Sequence, residues 1–439
     1  MSLRFGTDGV RGPAQDFGDP FVSALGEAAG RILGSGSVFL IGRDTRESSA
    51  AIERALTGGL QRAGLEVLSL GVVPTPAVAH AAKKRNAPAA MISASHNPWT
   101  DNGIKFFATG GHKLSKSSEK ALEELLTEIM LGDVADPTDP IGDEGDVEKW
   151  CSWLQQTVST APQKPLRVIL DCANGAATTV APAIISALGV DVEVIGNEPN
   201  GKNINDGCGS THPELLQQLV IERKADVGLA LDGDADRLVA VDEKGQLVDG
   251  DQLIAMFAQD LMSRNALRGN QVVVTVMTNL GFRLKMAELG IDVIETPVGD
   301  RFVAEALREN NCSLGGEQSG HIIFADLAST GDGTLTSLQL LDLLQRSTQP
   351  LSQLAHSSMT KLPQVLVNVR VDRRIENISE VMSAEIRAAE AKLGTTGRIL
   401  LRPSGTEPLI RVMVESQTLE MAQQIADELA ASVATVSSA

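Results

Sequence analysis

Three aspartates at alternate positions are the first residues in this sequence whose types and spacing could do chemistry. Asp232, Asp234 and Asp236 are separated only by Gly233 and Ala235, and apolar runs enter and leave the loop. Three carboxylates this close would repel one another strongly without a cation between them, and oxygen ligands suit hard cations. The spacing therefore predicts a divalent-metal loop, and we favour magnesium.

Two other interpretations of this loop stay open. A solvated acidic turn would need no metal, although the apolar runs on both sides disfavour it. A calcium EF-hand is the rival metal site, because Glu243 falls at the twelfth position of such a loop. The sixth position of an EF-hand should be glycine, however, and here it is Arg237, in a loop with strand-like flanks.

A second candidate is the polar stretch Ser93-Ala-Ser-His-Asn-Pro98, which directly follows the apolar run 87–92. Serine, asparagine and proline are ordinary turn formers, so a plain turn is the simplest explanation. The stretch also sets a serine beside His96, with Lys105 nine residues further on. Together with the metal loop, these groups would make Ser95 a nucleophile that carries a phosphoryl group, with the metal bridging to it.

Three further loops carry other polar groups. Glu317-Gln-Ser-Gly-His321 suits the hydroxyl or amino substituents of a small polar ligand, although structural histidines are commoner than functional ones. Arg402-Pro-Ser-Gly-Thr406, with Arg411 on the returning strand, suits a phosphate dianion, and a plain hairpin turn is an equal alternative. Arg11 lies in the glycine-rich stretch Gly6–Gly12, which lacks the Gly-Lys-Ser/Thr ending of a P-loop.

Composition limits the class of protein. A chain of 439 residues with 43% hydrophobic and 21% charged residues is typical of a globular protein with several domains. No apolar run is long enough to span a bilayer and the start has no leader pattern, which predicts a cytoplasmic protein. A net charge of −18 argues against a nucleic-acid surface, but not against a local site for an anionic substrate. The four cysteines lack the paired spacing of a disulfide framework or a zinc site.

One pattern recurs three times and predicts the fold. Leu188-Gly-Val-Asp-Val192 and Leu289-Gly-Ile-Asp-Val293 match closely, and Ala63-Gly-Leu-Glu-Val67 is a weaker copy. Each follows a helical pattern that itself follows a short β-rich run, which is the βαβ unit. We therefore expect three similar α/β domains with mixed, mainly parallel sheets, whose polar loops could share one crevice at the strand ends. The predicted strands are 38–41, 168–170 and 272–276, and the predicted helices are 51–61, 179–187 and 282–288.

The end of the chain has another pattern and predicts a small α+β domain. Strand-like alternation occurs over 365–371, 398–401 and 409–415, with helical patterns over 379–392 and 419–433. The predicted domains are 1–163, 164–264, 265–361 and 362–439.

Five motifs in this order resemble the α-D-phosphohexomutase family, and they extend from residue 5 to residue 411. Within that family, the Gly-Thr-Asp-Gly form of the first motif and Gln318 resemble the bacterial branch that acts on glucosamine phosphates. The motifs are Phe5–Gly12, Ser93–Pro98, Asp232–Arg237, Gly316–His321 and Arg402–Pro408.

The resemblance implies four domains around a central cleft and an enzyme that is active when Ser95 is phosphorylated. The phosphoserine would convert glucosamine 6-phosphate into a 1,6-bisphosphate and then take back the group from O6. Glucosamine 1-phosphate would be released to supply UDP-N-acetylglucosamine for the cell wall. Mg²⁺ is the implied cofactor and a phosphosugar the implied partner, without nucleic acid or membrane, in a monomer or homodimer.

The resemblance also implies roles for single residues. The Mg²⁺ ligands would be Ser95, Asp232, Asp234 and Asp236. The groups around the transferred phosphoryl group would be Arg11, His96, Lys105 and Arg237, with Lys105 transferring the proton of the sugar hydroxyl and His321 assisting. Sugar hydroxyls would be bound by Glu317 and Ser319. The phosphate that does not react would be held by Arg402, Ser404, Gly405, Thr406 and Arg411. The same cleft would be lined by Gly299 and Arg301.

Three competing functions follow from the same loops. A phosphomannomutase/phosphoglucomutase would share the mechanism and differ in the sugar. A metal-dependent phosphatase would result if water reached Ser95. A phosphosugar-binding sensor would need neither a nucleophilic serine nor a metal loop, which disfavours it.

Overall fold

The computed structural model of the chain divides into two compact units. The structure describes residues 5–6, 9–34, 36, 38–130, 132–143, 145–158, 165–371, 375, 377–403 and 408–437. The first unit takes in the described parts of Met1–Met277 and Asp292–Ser357, and the second those of Thr278–Ile291 and Ser358–Ala439. Across the described ranges, no helix combines the length and apolarity needed to cross a bilayer.

The first sheet of the first unit lies within residues 5–142. Its described strands are β1 (Phe5–Gly6), β2 (Gly9–Pro13), β3 (Val38–Arg43), β4 (Glu66–Val72), β5 (Ala89–Ile92), β6 (Asp101–Ala108), β7 (His112–Lys113) and β8 (Ile141–Gly142). The helices of this region are α1 (Asp19–Leu33), α2 (Ser49–Arg62), α3 (Thr75–Arg85), α4 (Lys116–Ile129) and α5 (Gly145–Gln155). The strands run in the order β1-β2-β6-β5-β3-β4-β8, with β7 beside β6.

The second sheet has the order β10-β9-β11-β12-β13 among the described residues. Its strands are β9 (Arg167–Asp171), β10 (Asp191–Ile195), β11 (Val227–Leu231), β12 (Leu238–Asp242) and β13 (Leu247–Val248). Its helices are α6 (Ala181–Ser186) and α7 (Glu214–Arg223), with a short 3-10 turn at Ala176–Thr179 before α6. The predicted helix over 179–187 is therefore present but begins later, after Val180.

The third sheet has the order β15-β14-β16-β17. Its strands are β14 (Gln271–Thr275), β15 (Asp292–Thr296), β16 (Leu314–Gly316) and β17 (Ile322–Phe324). The helices along this part of the chain are α8 (Gly250–Ser263), α9 (Leu280–Leu289), α10 (Asp300–Glu309), α11 (Gly333–Arg346) and α12 (Leu351–Ser358).

The three sheets share one arrangement of four strands, as the recurring pattern predicts. In each, a central strand (β3, β9 or β14) pairs in parallel with the two strands that follow it in the chain. The second of these two (β5, β11 or β16) pairs antiparallel with the next strand, β6, β12 or β17. The predicted class, α/β with mixed, mainly parallel sheets, is therefore confirmed. The three predicted polar loops all occupy the same place, in the antiparallel connection of this arrangement: β5 to β6, β11 to β12 and β16 to β17.

Burial explains why these segments form a parallel core. Every residue of β11 is buried, as expected for a strand covered by helices on both faces of its sheet. Helices α1 and α2 pack closely because a glycine lies between them: a Cβ on Gly59 would come within 1.9 Å of the Ser23 carbonyl oxygen. Helix α8 begins with a capping box, in which Asp249 and Gln252 satisfy each other's backbone amides. These contacts fix the frame from which the polar loops project.

The second unit contains an antiparallel sheet in the order β18-β20-β19. Its described strands and helices, besides α9, are β18 (Gln364–Arg370), β19 (Arg398–Pro403), β20 (Leu409–Glu415), α13 (Ile378–Val381), α14 (Ser383–Leu393) and α15 (Leu419–Ser437). The helix predicted over 379–392 is broken at the buried Met382, whose backbone is not helical. The antiparallel sheet and the helices beside it confirm the predicted α+β character of the end of the chain.

Helix α9 groups with the second unit although it lies between β14 and β15 in the chain. At its start, the Leu280 amide donates to the Glu415 carboxylate at 3.1 Å, and the Asn279 amide group donates to the Leu362 carbonyl at 3.0 Å. The predicted boundaries of the four domains stay predictions.

Candidate functional site

The aspartate loop leaves β11, turns sharply and returns as β12. Ala235 makes the turn with φ 55°, so Asp232, Asp234 and Asp236 can face the same side. All three are buried, and carboxylate oxygens of the three lie within 4.8 Å of one another, a group that could hold a metal ion. Burial, then repulsion from Asp236 and Asp234, raises the pKa of Asp232 well above its usual range. A hard divalent cation fits this set because all the donors are carboxylate oxygens.

The predicted nucleophile meets this loop. Ser95 Oγ donates a hydrogen bond to Asp232 Oδ2 at 2.6 Å and lies 3.3 Å from His96 Nδ1. Ser95 is 1% exposed and has φ 53°, a left-handed conformation that residues with a Cβ seldom adopt. Two residues predicted separately from their motifs are therefore brought into direct contact.

Cationic side chains surround the aspartates. Lys105 on β6 places its Nζ 2.8 Å from Asp234 Oδ2 and 3.3 Å from Asp236 Oδ2. Arg237 Nε lies 3.7 Å from Asp236 Oδ1. Burial alone would lower the pKa of Arg237, but Asp236 and Asp232 outweigh it and raise the pKa.

Two more predicted residues lie beside the serine. Arg11 Nη1 lies 3.5 Å from the side-chain oxygen of Asn97, two residues after Ser95. Burial, followed by the charges of Arg237 and Arg11, lowers the pKa of His96 to about 3. His96 is therefore a neutral imidazole near pH 7, and the positive charge at this end of the site comes from the arginines.

The loop from Glu317 to His321 packs against the metal loop. The Leu238 amide, at the start of β12, donates to the Gly320 carbonyl at 3.0 Å, so the second and third sheets meet here. Glu317 Oε1 accepts a hydrogen bond from the Gly299 amide at 3.2 Å, and burial is the main cause that raises the Glu317 pKa. Ser319 is exposed, as a ligand-binding hydroxyl would be.

His321 is buried and its ring is partly engaged. Its Nε2 accepts a hydrogen bond from the Gly331 amide at 3.2 Å and lies 3.7 Å from Asp300 Oδ2. The Gly331 amide and the Asp300 carboxylate therefore both approach the same ring nitrogen.

Gly299 and Arg301 lie at the start of α10, where two ion pairs join this helix to the first sheet region. Arg301 is 4% exposed and its guanidinium binds Glu119 of α4. Asp300 binds Lys113 of β7 in the same way. We call these four residues, Lys113, Glu119, Asp300 and Arg301, the α10 clasp. Its effect is to hold the Gly299 amide where Glu317 accepts its hydrogen bond.

The second unit holds the other predicted anion-binding residues. Arg402 on β19 lies directly opposite Arg411 on β20. Burial, and then the charge of Arg411, lowers the pKa of Arg402. The Nε atoms of both are buried and have no hydrogen-bond partner within the described ranges. Ser404, Gly405 and Thr406 lie outside the described residues.

Three residues at the site have no counterpart in the sequence predictions. Thr75, at the start of α3, donates its hydroxyl to Asp234 Oδ2 at 2.5 Å. Arg46 and Asn205 both donate to backbone carbonyls of the Ser95 loop. One signal could have found Arg46: it follows β3 in Gly-Arg-Asp-Thr-Arg, and polar residues beyond the carboxyl end of a parallel strand often line a site.

Comparison with protein families gives four matches in chain order. Residues 2–132 match "Phosphoglucomutase/phosphomannomutase, alpha/beta/alpha domain I" and residues 148–245 match its domain II. Residues 249–362 match domain III and residues 366–432 match the C-terminal domain.

Curated relatives match along nearly the whole chain. A phosphoglucosamine mutase of Thermobifida fusca (strain YX) is 49% identical over 442 residues, which cover 98% of each chain. A phosphoglucosamine mutase of Shouchella clausii (strain KSM-K16) is 47% identical with the same coverage.

Solved structures share the fold at low sequence identity. A phosphoglucomutase/phosphomannomutase family protein from Burkholderia thailandensis gives a TM-score of 0.80 at 24% identity, covering 96% of this chain and 95% of the other. The N-acetylphosphoglucosamine mutase of Aspergillus fumigatus, solved with GlcNAc-6P and magnesium, gives 0.69 at 18% identity, covering 99% and 96%.

Proposed function

Because this chain belongs to the phosphoglucomutase/phosphomannomutase family, we propose that it interconverts glucosamine 6-phosphate and glucosamine 1-phosphate through a phosphoserine and a 1,6-bisphosphate. The enzyme class is an intramolecular phosphotransferase. The observation that carries the proposal is the contact of Ser95 with the buried aspartate loop. The sugar is supported by relatives that are 47–49% identical and carry the name phosphoglucosamine mutase. The product would supply UDP-N-acetylglucosamine synthesis.

The reaction has two phosphoryl transfers that balance. In the first, the bond between phosphorus and Ser95 Oγ breaks while a bond forms to O1 of glucosamine 6-phosphate, and Lys105 takes the hydroxyl proton. In the second, after the bisphosphate has turned over, its O6–phosphorus bond breaks, Ser95 Oγ receives the group and Lys105 returns the proton to O6. Arg11, His96 and Arg237 would surround this group, because the protein's task in phosphoryl transfer is positioning and charge stabilisation.

A Mg²⁺ ion is proposed for the aspartate loop, held by Asp232, Asp234, Asp236 and an oxygen on Ser95. When bound, it would neutralise charge on the phosphoryl group. The fit is supported by the buried, all-oxygen donor set and the raised pKa of Asp232. Addition of Mg²⁺ should therefore raise the unfolding midpoint of the substrate-free protein, and Asp236→Asn should abolish most of that rise.

The remaining predicted residues complete the proposal. Glu317 and Ser319 would bind sugar hydroxyls, His321 would assist, and Gly299 and Arg301 would line the substrate site. Arg402, Ser404, Gly405, Thr406 and Arg411 would hold the phosphate that does not react. This is supported by the facing arginines Arg402 and Arg411, whose buried Nε atoms have no hydrogen-bond partner among the described residues. The central cleft, a cytoplasmic location and a monomeric or dimeric state stay predictions.

The test is a coupled assay with glucosamine 6-phosphate, Mg²⁺ and a trace of sugar 1,6-bisphosphate. Ser95→Ala should abolish formation of glucosamine 1-phosphate and the phosphoserine seen by intact mass spectrometry. Ser152→Ala, which changes an exposed serine on α5, is the matched control and should leave both unchanged. Full activity of Ser95→Ala would refute the mechanism, whereas conversion of only mannose or glucose phosphates would refute the sugar. Release of free phosphate without a 1-phosphate sugar would indicate a phosphatase instead.

A further inference from the structure

We infer that Arg46 is a positioning residue for the loop that carries Ser95. Its guanidinium holds two backbone carbonyls of the loop and so fixes the turn from which the Ser95 hydroxyl reaches Asp232. The inference rests on the proposed function, because it concerns the serine that would carry the phosphoryl group.

The contacts of Arg46 with the loop are direct. Arg46 Nη2 donates to the Ser95 carbonyl at 3.1 Å and to the Asn97 carbonyl at 2.6 Å. Its Nη1 lies 3.3 Å from Ser93 Oγ, which itself accepts a hydrogen bond from the Ser95 amide at 2.9 Å. The side chain therefore contacts the loop before, at and after the serine.

The loop needs such donors because of its backbone conformation. The left-handed conformation is unfavourable for a residue with a Cβ, and Ser95 adopts it with φ 53°. Buried carbonyl oxygens also require hydrogen-bond partners. Nη2 alone donates to both carbonyls, while Nη1 faces Asp44 and Ser93 Oγ, and a lysine ammonium has no second nitrogen to make this division.

The charge of Arg46 is already balanced, which separates it from the arginines beside the phosphoryl position. Arg46 forms an ion pair with Asp44, and both side chains are fully buried. Asp44 is itself fixed, because its Oδ1 accepts from the Arg46 amide at 3.0 Å and from Ser49 Oγ at 2.9 Å. Arg46 therefore acts through geometry rather than by attracting substrate.

A second donor reaches the same carbonyls from the second sheet region. Asn205 Nδ2 lies 3.0 Å from the Ser95 carbonyl oxygen and 3.1 Å from that of Asn97. Arg46 and Asn205 thus hold the loop from two sides. Loss of either one should let the serine move relative to Asp232.

The decisive variant is Arg46→Lys, which keeps the charge facing Asp44 but loses the fork. We expect kcat per phosphoserine to fall about 100-fold, the scale for a misplacement of about 1 Å. KM should stay within about twofold, because Arg46 does not contact substrate. The matched control is Arg43→Lys, whose guanidinium pairs with Glu53 at 2.8 Å, and it should keep wild-type kcat.

Hydrogen exchange of the peptide spanning 89–101 tests the contact without any activity assay. Exchange should rise in Arg46→Lys and in Asn205→Gly, because each variant loses a side chain that holds the loop. Glycine is chosen at 205 because it tolerates the left-handed conformation of Asn205 (φ 57°). Unchanged exchange in both variants would overturn the inference, as would wild-type kcat in Arg46→Lys or an increase confined to KM. A rise in exchange in a protein without mutase activity would refute only the proposed function. If Arg46→Lys does not fold, Arg46→Gln, which keeps an amide donor but loses the fork, carries the same test.

Discussion

The Ser95 hydroxyl donates a hydrogen bond to Asp232 across 2.6 Å, although 137 residues separate the two in the chain. The contact exists because equivalent loops of the first and second sheets face each other. The spacing of these loops therefore decides whether the two residues can act together.

Gly233→Ala tests that spacing. A Cβ at Gly233 would lie 2.6 Å from the Ser95 carbonyl oxygen and 2.8 Å from Asn205 Nδ2, so one loop must move. We expect a loss of about 1–3 kcal/mol in unfolding free energy from overpacking. We also expect about a 100-fold lower kcat from the displaced serine. Gly142→Ala, where a Cβ would meet open space, should change neither, and wild-type activity of Gly233→Ala would refute the argument.

Arg402→Met tests whether the second unit retains an unfavourable charge pair. Like charges directly opposite each other in a sheet are destabilising by about 0.2–1 kcal/mol, so the variant should slow hydrogen exchange in β19 and β20. If the pair binds phosphate, KM for the phosphosugar should rise. On the same strand, Arg398 pairs with Glu415 at 2.8 Å, and Arg398→Met should speed exchange instead. Faster exchange in both variants would show that Arg402 is stabilising.

Glu119→Gln tests the α10 clasp. The change leaves the buried Arg301 charge without its partner, and breaking a buried pair typically costs about 3–5 kcal/mol. Tryptophan fluorescence in urea measures this, because Trp99, Trp150 and Trp153 all lie in the first unit.

The double variant Glu119→Gln/Arg301→Gln should lose less stability than the sum of the losses of the two single variants. The double variant removes both charges, so no buried charge is left without its partner. Glu124→Gln is the control on the same helix, since its exposed pair with Lys120 should be worth at most about 1 kcal/mol. Equal losses for Glu119→Gln and Glu124→Gln would contradict a buried clasp.

Asp332→Asn predicts a pH-dependent gain in stability. Burial raises the pKa of Asp332 from 3.8 to about 7, so the folded protein binds this proton more tightly than the unfolded chain. The contribution of the protonated Asp332 carboxyl to the free energy of unfolding is fully present below pH 3.8 and is lost as the pH rises towards 7. Asparagine cannot ionise but still accepts the Leu335 amide at the start of α11.

The variant should therefore be more stable than wild type at pH 8, by more than about 1.4 kcal/mol, and nearly equal at pH 4. Urea unfolding at the two pH values measures the difference. Asp332→Ala removes the charge and the cap together and separates the two contributions. An equal gain from Asp332→Asn at both pH values would assign the effect to the helix cap.

The fold was accessible from sequence wherever a short pattern repeats. The runs that became β3, β9 and β14 are continuous apolar strands followed by polar residues, which is a local signal. The break at Met382 and the grouping of α9 with the second unit were not accessible. Both depend on side chains from distant parts of the chain. At the start of α9, for example, the Leu280 amide donates to the carboxylate of Glu415 on β20.

The site divides in the same way. The aspartates stand out because three carboxylates alternate in a loop flanked by apolar runs, and Ser95 stands out because His96 is next to it. Arg46 and Asn205 both donate to backbone carbonyls of the serine loop, and carbonyls are the same in every sequence. Arg301 was expected to line a substrate cleft, and the sequence could not reveal that its guanidinium faces Glu119.

The position shared by the three polar loops has a consequence for how such a chain can change. The strands that flank each loop are hydrogen-bonded neighbours, so their pairing holds the loop at the same edge of its sheet whatever residues it contains. Strand pairing therefore keeps the frame of each loop when its residues change, whereas contacts between loops, such as that of Ser95 with Asp232, limit which changes are compatible. One loop position can therefore carry three different proposed roles in a single chain: nucleophile, cation site and sugar-binding turn.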